Sequence, residues 1–134
     1  MDLVDVRAGL ATAAAAVPGL NTSPHAPDAV DVPHFYPGES EIDYDRTFGS
    51  GVDEAVITCY VLTSAGEDKD GQLLLDQLLG RGDMSIKAAL EADRTLGGVC
   101  ADLRVRRVQA YRRYGTGTDT FFGAQIIVYV IGEG

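Results

Sequence analysis

The sequence predicts an α+β fold: a mainly antiparallel four-stranded sheet with a long C-terminal hairpin, and helices packed on it. Three observations carry this expectation. Residues 102–134 form two arms rich in β-branched and aromatic residues, free of proline, around a Gly-Thr-Gly-Thr-Asp turn. Residues 54–63 alternate Ala55, Ile57, Cys59, Val61 with Val56, Thr58, Tyr60, Leu62, the period of a strand. Apolar residues at helical spacing occur in two other places, near the N-terminus and again around residues 73–90.

In chain order, Asp2 is placed to cap a first helix whose stripe is Leu3, Val6, Leu10, Ala13, Ala14 and Val17. Pro18-Gly19 ends it, and the small residues 11–16 leave room for another element to come close. Residues 21–27, with two prolines, read as a loop. Residues 29–36 read as a short strand that Pro33 demotes to an edge or ends early. Residues 38–51 are acidic and turn-rich, and the sequence leaves open a mobile loop or an arm that orders on assembly. After the strand at 54–63, Ser64-Ala-Gly-Glu67 fits a capping box, with Glu67, Asp68 and Asp70 in the first turns. Leu73, Leu74, Leu75, Leu78 and Leu79 are the buried stripe. Gly80-Arg81-Gly82 breaks this helix, and Asp83 or Ser85 starts a short one over 84–91 with Ile86 and Leu90 inward.

The hairpin turns near residues 115–119. Each arm is about twelve residues, roughly 40 Å at ~3.3 Å per residue, against a domain diameter of ~35 Å. It therefore crosses the whole domain or projects from it. The second arm, 121–131, is apolar on both faces except for Gln125, which implies a strand covered on both sides, or on one side by its own core and on the other by a neighbouring chain. The first arm is basic, with Arg104, Arg106, Arg107, Arg112 and Arg113 among the chain's 11 Lys and Arg residues. Its alternation slips near Arg106-Arg107, as at a β-bulge, and alternate arginines of the arm are expected to point to opposite faces of the sheet.

Length and composition fit one domain over residues 1–134, and 46% apolar with 23% charged residues describes a globular chain. Asp2 and Asp5 precede the alanine run where a signal peptide would be positive, so export is not expected. The net charge of −9 argues against a general nucleic-acid binder. The charge is also uneven. Residues 1–54 hold ten acids and two bases, and residues 102–134 hold three acids and five bases. That distribution suits copies meeting through unlike surfaces, with Arg104, Arg106, Arg107, Arg112 and Arg113 of one against Glu39, Glu41, Asp43 and Asp45 of another. A solvated acidic surface with ordinary ion pairs is the plainer alternative.

Chemistry is hard to find. His25 and His34 sit near prolines, outside any metal-binding motif, and read as loop histidines. No nucleophile elbow supports a serine triad. Gly115-Thr-Gly-Thr lacks the lysine and helix of a phosphate loop, and the acids of 39–45 lack the central Gly and closing Glu of an EF-hand. Arg81-Gly-Asp83 is a helix stop followed by a cap. Cys59 and Cys100 lie on different elements and read as small buried hydrophobes. No catalytic, cofactor or metal residue is assigned.

The whole-chain pattern resembles the tail terminator proteins of long-tailed phages (siphophages), the lambda-type minor tail protein family. The resemblance rests on the alanine-rich first helix, the proline-bounded strand at 29–33, the strand and leucine-rich helix of the middle, and the ending. That ending is Val108-Gln-Ala-Tyr-Arg-Arg-Tyr114, a short turn, then residues 121–131. It implies a non-enzymatic virion protein without cofactor. Six copies form a ring that caps the tail tube, stops its polymerisation and offers a surface to the filled head. The implied partners are other copies, the major tail tube protein and a head-completion or neck protein, with genomic DNA passing through the lumen unbound and no membrane involved. The implied location is the head-proximal end of the virion tail, after synthesis in the host cytoplasm. A neck or tail-completion subunit, or a small dimeric ligand-binding α+β domain, shares the element order.

Overall fold

A computed structural model describes residues 1–47, 51–66, 69–116 and 119–133, with backbone alone for 45–47 and 116. The elements run α1 (Leu3–Ala14), β1 (Asn21–Thr22), β2 (His34–Thr47), β3 (Val52–Ser64), α2 (Asp70–Leu79), α3 (Ile86–Glu91), β4 (Asp102–Thr116) and β5 (Asp119–Glu133). The fold is α+β. Its sheet has five strands rather than four, in the order β1-β2-β3-β5-β4, and is mixed because β1 runs parallel to β2. The other pairs are antiparallel.

The centre of the sheet is the β3–β5 pair, in unbroken register from Val52↔Glu133 to Ser64↔Phe121. The C-terminal hairpin therefore crosses the domain and does not project from it. One face of the pair, Ala55, Ile57, Cys59 and Val61 with Ala124, Ile126, Val128 and Val130, is buried. The helices supply the matching layer: Val6, Leu10 and Ala14 from α1, Leu75 and Leu78 from α2, Ile86 and Leu90 from α3. Asp2 caps α1 through Oδ1 to the Val4 amide at 2.8 Å, and Ser85 caps α3 through Oγ to the Ala88 amide at 3.1 Å.

Four expectations need correction. Residues 38–47 are not a loop: β2 continues through them, paired with β3 as far as Thr47↔Val52. Glu39, Glu41 and Asp43 lie on a solvated sheet face, where a strand needs no apolar residue. The strand expected at 29–36 begins only at His34, after a cis Val32–Pro33 bond. Asn21 and Thr22, assigned to a loop, form β1 and pair with His34 and Phe35. Ser64 closes β3 and does not cap α2, whose first residue is Asp70 and whose N-cap, Lys69, makes no side-chain cap bond. Glu67 and Asp68 lie outside the described residues.

β2 has a feature the sequence did not announce. Its pairing with β3 shifts between Pro37 and Ser40, which frees carbonyls from the ladder. Arg7 of α1 takes them up, donating from Nη1 to the Pro37 oxygen at 2.9 Å and from Nη2 to the Gly38 oxygen at 2.6 Å. The planar guanidinium satisfies two acceptors at once and ties α1 to the strand.

The junction of β3 and α2 is equally tight. A methyl group added at Gly71 would lie 1.7 Å from the Ser64 carbonyl oxygen, and the buried Thr63 hydroxyl donates to the Gly71 carbonyl at 2.8 Å. Gly71→Ala must push α2 off the strand and should cost about 1–3 kcal/mol, the range for overpacking. Gly82→Ala, with open space around the added methyl, should leave stability almost unchanged. Thermal unfolding of the two variants checks the contrast.

Candidate assembly interface

The helices cover one face of the sheet only. The opposite face is built in cross-strand rows. Glu41, Val56, Tyr129 and Arg104 form one, and Tyr36, Tyr60, Gln125 and Gln109 another. A third runs Asp43, Glu54, Ile131, Asp102. Only the first row runs from an acid on β2 through apolar and aromatic residues to an arginine on β4; the second is uncharged, and the third ends in acids on both outer sides, Asp43 and Asp102.

Two bulges in β4 create the basic side. Register shifts between Val105 and Arg107, and between Gln109 and Arg112, the second at Ala110 with φ +52°. The first lets Arg107 join Arg104 on the open face, opposite Ile127. The second returns Arg112 to that face, opposite Gly123, and turns Tyr111 to the helical side, where its hydroxyl donates to Asp76 of α2 at 2.6 Å. Regular alternation would have divided the arginines between faces. Instead Arg104, Arg106, Arg107 and Arg112 gather on one, and Arg113 lies on the other, opposite Phe122.

Three arginines stack on the chain's own rings: Arg106 over Tyr129 at 5.0 Å, Arg112 over Tyr114 at 4.2 Å and Arg113 over Phe122 at 4.8 Å. Beside β4 other cations form the ion pairs Lys87–Glu91 at 2.7 Å and Arg94–Asp102 at 2.8 Å. The long side chains cover the apolar centre of the face, so Ile127 is only 4% exposed without a helix above it. The cover expected on both sides of the last strand is met on the open side at Ile127, while Ile131 on the same face stays 39% exposed.

At the acidic edge, Glu39 accepts from the Tyr60 hydroxyl at 2.5 Å. Burial, reinforced by that carboxylate, pushes the Tyr60 pKa up to about 12. Tyr36 stacks on Tyr60 with centroids 5.3 Å apart, and Tyr114 meets Tyr60 edge-on at 6.2 Å. Two glycines make room. A methyl at Gly38 would strike the Tyr60 ring at 2.5 Å, and one at Gly123 would meet Tyr114 at 2.8 Å. Glu39, Glu41 and Asp43 are exposed on β2, and the Asp45 side chain lies outside the described residues.

Two hollows accompany the face. A shallow one of ≈ 380 Å³ lies among Glu54, Asp102, Arg104, Arg106, Tyr129 and Ile131. On the helical side, a groove of ≈ 590 Å³ runs between α1 and residues 92–99, lined mainly by small residues such as Ala8, Thr12 and Ala13.

His34 is not a loop histidine. It opens β2, is buried, and has Nε2 2.9 Å from the Ser23 hydroxyl. This is not an activated serine. Ser23 donates its proton to the His25 carbonyl at 2.8 Å, so the imidazole must be the donor between them. Its Nδ1 is buried without a hydrogen-bond partner. Cys59 and Cys100 are buried free thiols, both with pKa values raised by burial. Among the described residues, no three His, Cys, Asp or Glu side chains converge as a metal site, and no helix is long and apolar enough to cross a membrane.

What the geometry defines is a helix-backed sheet whose open face is an arginine- and tyrosine-rich surface, with exposed acids on β2, which is the sheet's margin only from Pro37 onward, and arginines on the outer strand β4. No protein-family model matches the chain, and no curated protein matches it significantly.

Two outcomes follow. Burial lowers the His34 pKa below 6.5, against the opposing influence of Asp31, so the folded protein holds the ring neutral while the unfolded chain protonates it. That contribution is present above the unfolded value and is lost as pH falls from about 6.5 towards the lower folded value. His34→Gln should flatten the loss of melting temperature across this window. Secondly, Arg112 and Arg113 are themselves exposed and stack on the half-buried rings of Tyr114 and Phe122, contacts each worth about 0.5–1 kcal/mol. Arg112→Glu with Arg113→Glu should therefore lower stability by no more than about 2 kcal/mol, and circular dichroism should show the same fold.

Proposed function

We propose that this chain is a tail terminator of a long-tailed phage: a structural virion protein, not an enzyme, whose six copies form a ring on the finished tail tube. The ring stops polymerisation of the major tail tube protein and presents the surface to which a head-completion or neck protein attaches. DNA passes through its lumen without specific binding. It acts at the head-proximal end of the tail after synthesis in the host cytoplasm.

The observation that carries this reading is the placement of opposite charges on opposite edges of one sheet, Glu39, Glu41 and Asp43 on β2 and the arginines on β4. Identical chains joined head to tail through unlike surfaces close into a ring when the rotation between neighbours divides a full turn. The α+β order and the long final hairpin agree with the family that the sequence resembles.

Deleting the gene should give overlong tails that carry no heads, and electron microscopy of wild-type tails should show one ring of this protein at the head-proximal end. Normal tail length in its absence removes the terminator role. Tails of normal length that fail to join heads would assign the chain to the neck instead, and a stable solution dimer with no effect on tails would make it a small ligand-binding domain.

A further inference from the structure

We propose that the outer strands are the two halves of one contact between copies, with the basic rim of β4 seated against the acidic rim of β2 in the next copy. The inference takes self-assembly from the proposed function and identifies the surfaces that perform it.

The rims cannot serve each other within one chain. Glu41 and Arg104 stand at opposite ends of the same row, separated by Val56 and Tyr129. Three strand spacings of about 4.8 Å put them roughly 14 Å apart, beyond a Debye length of about 8 Å at physiological salt. A second copy shifted sideways by one sheet width brings them together. The outer sides are open for it: β1 pairs only with His34 and Phe35, so from Pro37 onward β2 has no further strand neighbour among the described residues, and β4 has β5 alone.

The charges also select the symmetry. A two-fold joint between like edges would face arginine with arginine or glutamate with glutamate, which is repulsive. Only the unlike edges attract, and joining them is head to tail by construction. The contact is made by side chains and does not extend the sheet. Both bulges of β4 and the register shifts of β2 interrupt the outer hydrogen-bonding rows, and Arg7 already occupies the carbonyls of Pro37 and Gly38. A nucleic-acid strand is the competing occupant for the arginines. The acidic half of the same face repels it, and the rings of Tyr129 and Tyr114, which stacked bases would need, are already occupied by Arg106 and Arg112.

Charge reversal tests the pairing. One variant carries Arg106→Glu and Arg107→Glu, making both rims acidic. The other carries Glu39→Lys and Glu41→Lys, making both basic, with Glu41→Lys alone as a version that keeps the bond from Tyr60 to Glu39. Sedimentation at the highest soluble concentration and low salt should show self-association of the wild-type chain, weakened by added salt and about tenfold or more by either reversal. An equal mixture of the two variants should restore assembly with alternating composition, and so should all four reversals in one chain. The proposal is overturned if the variants assemble as the wild type does. It is equally overturned if neither the wild type nor the mixture associates, if the mixture stops at a pair, or if a labelled single-stranded oligonucleotide binds the wild type and not the Arg106/Arg107 variant while the protein stays monomeric. Tail length separates the two ideas. Rim-dependent assembly with normal tails in a deletion strain keeps the contact and removes the terminator role, whereas rim variants that still cap tails keep the role and remove the contact.

Discussion

The β3–β5 pairing is the constraint on which the molecule depends. Because its register is unbroken over the length of both strands, the parity of every side chain on them is fixed. One parity is apolar and receives three helices, and the other is left for solvent or a partner. A slip of one residue would put Ile57, Ile126 and Val128 outside and bury Glu54 and Gln125. The outer strands attach to this pair from either side and tolerate bulges, since an interruption there disturbs a single ladder.

This division explains what could be read from the chain. β3 was legible because a strand with one buried face alternates, and the last hairpin because both arms carry β-forming residues around a glycine turn. The cap at Asp2 was legible too, and Ser85 was one of two candidates with Asp83, since a cap acts within its own helical turn. β2 was not. Its second half owes its strand conformation to pairing with β3, and Pro37, Gly38 and four nearby acids carry the local signature of a loop. β1 is two residues held by one neighbour, below the length at which a pattern exists. Nor does any local pattern link Arg7 to carbonyls thirty residues away.

The candidate face was half legible. The five arginines stood out as a group and the slip at Arg106-Arg107 marked the first bulge. The second bulge, at Ala110, had no sequence signal, because alanine is an unusual choice for a left-handed backbone. Without it, Tyr111, Arg112 and Tyr114 would be placed on the wrong sides. The aromatic partners were equally hidden, since each stacking contact joins residues brought together by bulge or register. The arginines do two things at once: their planes lie on the chain's own rings and cover apolar surface, while their charges remain at the rim.

Ala110 has a wider consequence. The residue is surplus to the ladder, since Gln109 and Arg112 on either side of the bulge hold their own partners, Gln125 and Gly123. Losing it would relieve a backbone conformation that costs about 1–2 kcal/mol in an L-residue, and would leave the flanking pairs where they are. The edge strand thus has a place where descendants of this chain can gain or lose one residue without refolding. Because the pairs on either side keep their partners, a change of length here leaves both the central strands and the faces of Gln109 and Arg112 as they are.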